Sequence, residues 1–258
     1  MNPAGSSSAD VWVGLPRPNP AARLRLFCFP YAGGSASAYS AWWRELPASV
    51  ELCTIKLPGR EARLREPPFQ RLTPLVGALS AALGPWLTKP FALYGHSLGA
   101  LVAFELARAL RRRGAPLPRH LLVSGRRAPH LPMGEAFHAL PDPEFVAWIR
   151  RMGGTPDEVL REPELMELFL PVLRADVAVN EAEPFVAEAP LDCPITAFGG
   201  VVDERASPAE LEAWRELTRG SFRVEMFPGG HFFLRSAQGP LLRSISAVLD
   251  DVVRDLPA

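Results

Sequence analysis

The length, composition and charge of the chain exclude several classes of protein before any motif is considered. Its 258 residues, 48% hydrophobic and 22% charged, suffice for one large α/β domain or two small ones with a substantial core. Its 28 basic and 28 acidic residues give a formal net charge of zero. This balance offers no electrostatic support for binding to nucleic acid or to an anionic membrane.

The spacing of the cysteines and the lack of a long apolar run argue against a disulfide-rich protein and a membrane-spanning protein. Cys28, Cys53 and Cys193 are widely spaced without a C-x-x-C pair, so we expect buried reduced thiols rather than disulfides or a zinc site. No stretch of about 18 uncharged apolar residues occurs, and the N-terminus lacks the regions of a signal peptide. We expect a cytoplasmic monomer with a flexible N-terminus over residues 1–22 and a single domain over 23–258.

Short apolar segments rich in β-forming residues alternate with helical periodicity along the rest of the chain. Their near-continuous hydrophobicity is typical of strands buried on both faces of a parallel sheet. Helices are predicted between them, including one from Ser97 to Gly114 and a last one whose apolar face runs from Leu241 to Val253. The alternation predicts right-handed βαβ units and a mostly parallel, doubly wound sheet. Strands are predicted at 24–30, 50–58, 90–95, 120–125, 194–200 and 222–230.

Residues 135–188 interrupt this alternation. They contain no good strand pattern, and the segments DPEFVAWIRRMGG and PDEVLREPELMELFLPVLRADVAVNEAE are typical of helices. We therefore expect a helical insertion between two strands of the sheet.

The segment Gly95-His96-Ser97-Leu98-Gly99 is a G-x-S-x-G motif at a predicted strand-to-helix junction. A tight, strained turn there needs small neighbours and raises the serine hydroxyl above the sheet edge. The free N–H groups at the start of the following helix then face any oxyanion formed beside Ser97. The alternative is an ordinary turn in which the serine only caps the helix.

A nucleophilic serine needs a base and a carboxylate that orients the base. His231 follows the last predicted strand in FPGGHFFL, whereas His96 lies inside the turn and is expected to point away from the reaction centre. Asp203 follows a predicted strand in PITAFGGVVDER, while Asp176 falls within the helical insertion. The order Ser97, Asp203, His231 is that of α/β-hydrolases, although a solvated histidine and an ordinary loop aspartate remain alternatives.

An oxyanion hole requires two backbone donors, of which one is the N–H of Leu98 after the nucleophile. The second should come from the loop after an early strand, here the glycine-rich CFPYAGGSASAY. Ala32 is the preferred donor, with Tyr31 or Gly33 as alternatives. The Gly-Gly pair is also compatible with a simple turn before a helix.

Taken together, these motifs resemble the type II thioesterases of polyketide synthase and nonribosomal peptide synthetase pathways. The resemblance implies an α/β-hydrolase fold with Ser97 as nucleophile, Asp203 as acid, His231 as base and the amides of Ala32 and Leu98 as oxyanion donors. It also implies that residues 135–188 form a lid over the substrate channel. The matching segments include LFCFPYAGGSASAY, LPGREARLREPP, YGHSLGALVAFELAR, SGRRAPHLP, LPDPEFVAWIRRMGGTP, PELMELFLPVLRADVAVNEAE, GGVVDERASPAELEAW and PGGHFFL.

Two residues after the expected acid depart from the family pattern. Glu204 stands where the family often has proline, and Arg205 stands where it often has a small apolar residue. This departure could alter the loop around Asp203 without removing its carboxylate. Leu98 stands where methionine is common, which matters little because only its backbone N–H is used.

The resemblance implies hydrolysis of acyl groups from the phosphopantetheine arm of an acyl or peptidyl carrier protein, which clears stalled groups from an assembly line. The carrier brings the phosphopantetheine, so no cofactor of the chain's own is expected. The sequence contains no metal-ligand spacing, Walker loop or G-x-G-x-x-G motif. A carboxylesterase or lipase with the same residues, and a non-catalytic module that docks a carrier, remain alternatives.

Overall fold

The computed structural model describes residues 11–132, 134, 136–155, 157–181 and 183–257. Within these residues, one seven-stranded sheet has the order β1-β3-β2-β4-β5-β6-β7. The edge strand β1 is antiparallel to β3, and all other neighbours are parallel. The six predicted strands are therefore confirmed. The strands are β1 Val13–Gly14, β2 Leu24–Phe29, β3 Val50–Ile55, β4 Phe91–His96, β5 His120–Ser124, β6 Ile195–Gly200 and β7 Phe222–Phe227.

Two strands end three residues earlier than the sequence pattern predicts. β3 stops at Ile55 and β7 stops at Phe227, ahead of Pro58 and Pro228. A proline nitrogen cannot donate a hydrogen bond to a neighbouring strand. The apolar segment therefore extends beyond the last residue of the strand.

Helices cover both faces of the sheet, as predicted for a doubly wound fold. Residues of α1 and α2 pack in one apolar cluster against the sheet, and residues of α8 pack in a second cluster on the other face. The buried positions of α8, from Leu241 to Leu249, follow the predicted apolar face. The helices are α1 Leu72–Ala82, α2 Leu98–Arg112, α3 Asp142–Met152, α4 Asp157–Arg161, α5 Pro163–Glu181, α6 Pro208–Glu212, α7 Phe233–Ser236 and α8 Gln238–Arg254.

The described part of the N-terminus is tied to the sheet, which corrects the expectation of a flexible segment over residues 1–22. Val13 pairs with Ile55 in β3, and the backbone N–H of Asn19 donates to Glu51 Oε1 at 2.8 Å. Ala22 is buried. A two-residue edge strand has no hydrophobic period, so composition alone did not reveal it. Residues 1–10 lie outside the described residues.

The expected helical insertion is confirmed for the residues that the structure describes between β5 and β6. Its described part contains a short 3₁₀ helix over Phe137–Ala139 followed by α3, α4 and α5, and it contains no strand. Its helices share a small apolar cluster of their own, which includes Phe145, Trp148 and Leu173. The expected start of the insertion at residue 135 lies outside the described residues.

The cysteines are free thiols in the structure. Cys28 and Cys53 are buried and Cys193 is half-buried. Burial raises the pKa of all three thiols, that of Cys193 to about 12, which is typical of packed side chains rather than reactive ones. Among the described residues, no helix combines the length and apolar character needed to cross a membrane.

Candidate active site

Ser97 occupies a strained turn between β4 and α2. Its backbone has φ 53° and ψ −114°, a conformation that L-residues with a side chain rarely adopt. A Cβ on Gly95 would lie 2.0 Å from the carbonyl oxygen of Gly99, and one on Gly99 would lie 2.1 Å from that of Phe29. The two glycines are therefore required by close backbone contacts. The Ser97 side chain makes no capping hydrogen bond, which contradicts the alternative of a purely helix-capping serine.

His231 and Asp203 are joined by a hydrogen bond. His231 Nδ1 lies 2.9 Å from Asp203 Oδ2, and the other carboxylate oxygen accepts a hydrogen bond from the backbone N–H of Arg205 at 3.0 Å. The Asp203 side chain is fully buried and that of His231 is 9% exposed. This bond orients the imidazole and leaves its Nε2 as the nitrogen that can act as a base.

The two loops that carry this pair come together because glycines allow it. A Cβ on Gly200, at the end of β6, would lie 2.4 Å from the carbonyl oxygen of Gly230, which precedes His231 after β7. The carboxyl ends of neighbouring parallel strands thus bring residues 203 and 231 to one edge of the sheet.

One small cavity is lined by the predicted nucleophile, the predicted base and one predicted oxyanion donor. Ser97, His231 and Ala32 line a cavity of about 50 Å³, which the helical insertion closes with residues that include Trp148 and Leu173. Asp203 lies behind the His231 ring. Within the described chain the Ser97 hydroxyl and the His231 ring share this cavity without a hydrogen bond, a spacing that commonly tightens when substrate binds.

The glycine-rich loop after β2 favours Ala32 over Gly33 as an oxyanion donor. The N–H of Gly33 already donates to Asp176 Oδ2 at 2.8 Å. In the described part of the chain, the N–H groups of Ala32 and Leu98 have no acceptor, and Leu98 opens α2, where helix N–H groups lack intrahelical partners. Both amides therefore remain able to bind an oxyanion, and their assignment stays a prediction.

A buried ion pair holds this loop against the helical insertion, a role that sequence reasoning missed. Arg60 donates from Nη2 to Asp176 Oδ1 at 2.7 Å and from Nη1 to Asp176 Oδ2 at 2.8 Å. Arg60 Nη1 also donates to the carbonyl oxygen of Gly34 at 2.8 Å. The two side chains are 7% and 5% exposed. Asp176 on α5 is thus a positioning residue for the Ala32–Gly34 loop, and no local pattern links two residues so far apart in sequence.

His96 lies against the expected base instead of pointing away from the site. The ring centroids of His96 and His231 are 5.1 Å apart, and His96 Nδ1 lies 2.9 Å from Ser124 Oγ. Complete burial holds the pKa of His96 well below its ordinary value, so this ring stays neutral. A neutral neighbour does not repel the positive charge that His231 would acquire as a base. Gly125, at φ +57°, leaves room for the His96 ring, because a Cβ there would lie 2.5 Å from Cε1.

No group of three or more histidine, cysteine, aspartate or glutamate side chains could hold a metal ion among the residues the structure describes.

Comparisons with known proteins agree with this architecture. The Thioesterase domain family matches residues 24–249 of the chain. The chain is 46% identical over 229 residues to the gramicidin S biosynthesis protein GrsT of Aneurinibacillus migulanus, which covers 88% of this chain and 90% of that protein.

Two solved structures have the same fold. The RedJ thioesterase from the prodiginine biosynthetic pathway in Streptomyces coelicolor matches with a TM-score of 0.85 and 44% identity, over 95% of this chain and 91% of that one. The type II thioesterase BorB from the borrelidin biosynthetic cluster matches with a TM-score of 0.82 and 35% identity, over 95% of this chain and 97% of that one. The predicted α/β-hydrolase fold is thereby confirmed, and the chain belongs to the thioesterase family, among the type II thioesterases of polyketide and nonribosomal peptide pathways.

Proposed function

We propose that this protein hydrolyses acyl thioesters with Ser97 as nucleophile, His231 as general base and Asp203 as the carboxylate that orients it. The observation that carries the proposal is the His231–Asp203 hydrogen bond at the wall of the cavity that Ser97 also lines. Ser97, His231 and Ala32 line one cavity, and Leu98, whose amide is also unpaired, follows Ser97 directly. A strained serine, an oriented imidazole and two free amide donors are the parts that acyl transfer requires.

In the first half-reaction, Ser97 Oγ attacks the thioester carbonyl carbon while His231 Nε2 takes the hydroxyl proton. The amides of Ala32 and Leu98 donate to the oxyanion of the tetrahedral intermediate. The carbon–sulfur bond then breaks, and the proton passes from His231 to the leaving thiolate. In the second half-reaction, His231 deprotonates a water molecule that attacks the acyl-serine, which releases a carboxylic acid and restores the hydroxyl.

The substrate we propose is an acyl group on the phosphopantetheine arm of an acyl or peptidyl carrier protein. Support comes from the pathways named for the relatives, gramicidin S biosynthesis for GrsT and prodiginine biosynthesis for RedJ. In this role the protein removes stalled acyl groups from such carriers. It acts as a cytoplasmic monomer and needs no cofactor of its own. The cavity of about 50 Å³ is smaller than a long acyl chain, and α3 and α5 form part of its wall.

The test compares the wild type with Ser97→Ala on acyl-carrier thioesters and on acyl thioesters of N-acetylcysteamine. We expect the variant to lose at least about 10³-fold in kcat, because the nucleophile is absent. Ser246→Ala on α8, outside the cavity, is the matched control and should retain wild-type rates. Wild-type turnover by Ser97→Ala would refute the assignment.

Two further measurements separate the alternatives. A matched oxygen ester with a higher kcat/KM than the thioester would identify a carboxylesterase instead. A fluorophosphonate probe that fails to label Ser97 in the wild type would favour the non-catalytic docking module.

A further inference from the structure

His96 occupies a fully buried position between the nucleophile and the expected base. It immediately precedes Ser97, and its ring centroid lies 5.1 Å from that of His231, with an angle of 52° between the two ring planes. An aromatic enclosure of this kind would accept a phenylalanine, whereas a buried imidazole costs free energy unless its nitrogen atoms are hydrogen-bonded. The rest of the enclosure consists of Tyr31, Phe232 and Phe233, with ring centroids 5.9, 5.8 and 5.7 Å from that of His96.

The His96 ring is held through one of its two nitrogen atoms. Nδ1 lies 2.9 Å from Ser124 Oγ, whereas Nε2 is buried and has no hydrogen-bond partner among the described residues. The hydrogen bond to Ser124 is therefore the polar contact that fixes the rotation of the ring about its Cβ–Cγ bond. A phenylalanine would fill a similar space, but its rotation about this bond would have no such restraint.

Ser124 also supports the turn that carries the nucleophile. It is the last residue of β5 and pairs with His96 in β4, and its backbone carbonyl oxygen accepts a hydrogen bond from the N–H of Ser97 at 2.8 Å. One residue at the end of β5 thus contacts the backbone of the nucleophile and, through the His96 ring, one side of the expected base.

We propose that His96 is a positioning residue that holds the His231 ring in place for proton transfer with Ser97, and that the Ser124 hydroxyl sets the orientation of His96. This inference rests on the proposed function. The bond from Asp203 restrains the His231 ring at Nδ1, so the position of its Nε2 also depends on the groups that pack against the ring. Catalysis is sensitive to such packing, since a displacement of about 1 Å can cost about 10²-fold in rate.

A competing explanation is that His96 and Ser124 only stabilise the fold. A purely structural hydrogen bond changes the free energy of unfolding and leaves the kcat of the folded protein unchanged. A positioning contact lowers kcat even in a variant whose stability has been restored. The two explanations therefore differ in whether kcat follows stability.

The experiment measures kcat, KM and urea unfolding for His96→Phe, Ser124→Ala and the double variant, with the 3-methylbutanoyl thioester of N-acetylcysteamine as a short substrate. His96→Phe keeps a ring and removes the hydrogen bond, so we expect kcat to fall about 10- to 100-fold while KM stays within about two-fold. Ser124→Ala should lower kcat about 10-fold, because the His96 ring then lacks its anchor. The rate at which a fluorophosphonate labels Ser97 should fall with kcat, because the same base activates the hydroxyl toward the probe.

The double variant separates positioning from stability. It removes both partners of the hydrogen bond, so it should recover much of the unfolding free energy that His96→Phe loses by leaving the Ser124 hydroxyl unpaired. Its kcat should nevertheless stay within about three-fold of that of His96→Phe, because the two substitutions remove the same contact and their effects do not multiply.

His120→Phe is the matched control. His120 Nε2 lies 2.9 Å from Thr196 Oγ1, so this pair makes the same kind of histidine–hydroxyl hydrogen bond. His120 is the first residue of β5 and Ser124 is the last, so the two pairs lie at opposite edges of the sheet. The control should lower the free energy of unfolding and leave kcat and KM within about two-fold of the wild-type values.

Two outcomes would overturn the proposal. A kcat within about two-fold of the wild-type value in Ser124→Ala would show that His96 needs no anchor, and this variant decides the question by itself if His96→Phe does not fold. A double variant that regains both its stability and its kcat would leave a structural role only. In both cases, thioester hydrolysis that depends on Ser97 would leave the proposed function intact. Wild-type turnover by Ser97→Ala would refute the proposed function and this inference with it.

Discussion

Asp176→Asn weakens the contacts that hold the helical insertion against the loop that carries the expected oxyanion donor. The carboxylate of Asp176 accepts two hydrogen bonds from Arg60 and one from the N–H of Gly33. Asparagine has one acceptor oxygen and a donor amide, so it cannot satisfy all three N–H groups. It also leaves the Arg60 guanidinium, whose side chain is 7% exposed, without a counter-charge.

The expected loss of stability follows from this burial. Breaking a buried ion pair by removing one charge typically costs about 3–5 kcal/mol. Domains typically have about 5–15 kcal/mol of stability, so the variant stays folded enough for kinetic measurement if the wild type has more than about 7 kcal/mol. If the released loop no longer holds the Ala32 amide in place, kcat should fall by up to about 10²–10³-fold, the usual cost of one oxyanion donor.

The assay is urea unfolding at neutral pH, combined with kcat and KM for the 3-methylbutanoyl thioester. Asp142→Asn is the matched control, because Asp142 is a 69% exposed carboxylate of the same insertion that pairs with Arg174. Its substitution should cost no more than about 1 kcal/mol.

A double variant separates stability from positioning. Arg60→Met combined with Asp176→Leu removes both charges, so it should recover much of the stability. It leaves the Gly33 N–H without its acceptor, so kcat should stay low. This reasoning would be refuted if Asp176→Asn had a free energy of unfolding within about 1 kcal/mol of the wild-type value and a kcat within about two-fold of it.

Three further variants test the fold and the site. Gly99→Ala should either abolish soluble folded protein or lower the free energy of unfolding by more than about 3 kcal/mol. Gly77→Ala in α1, where an added Cβ meets nothing within 4 Å, should instead raise it by up to about 1 kcal/mol. Equal effects of the two substitutions in thermal unfolding would contradict the close contacts of the turn. Burial lowers the pKa of His120 to about 4, so the unfolded state takes up a proton first as pH falls below about 6.5. Between pH 7 and pH 5 the wild type should therefore lose about 2 kcal/mol more unfolding free energy than His120→Gln, and parallel urea midpoints for the two proteins would count against this. Asp203→Asn should lower kcat by about 10⁴-fold with little change in KM, since the His231 ring loses its orienting carboxylate; a loss below ten-fold in steady-state kinetics would exclude the acid assignment.

Local signals in the sequence were sufficient for the main elements of the fold. The apolar runs predicted the six parallel strands because a strand buried on both faces needs continuous hydrophobicity. The G-x-S-x-G motif predicted the turn at Ser97, because both flanking positions lack room for a side chain. The close approach of the two loops that carry Asp203 and His231 was found only in the structure, where a Cβ on Gly200 would lie 2.4 Å from the carbonyl oxygen of Gly230.

Local sequence patterns are therefore sufficient to predict the order of the strands along the chain, the helical insertion and the residues at the strand ends. Which of these residues contact one another depends on the tertiary structure. The pairing of Arg60 with Asp176, the packing of His96 on His231 and the entry of Arg205 into the cavity join segments with no shared local pattern. Such contacts depend on the register of the sheet and on how the insertion packs over it, and a hydrophobic period along the chain carries no information about either.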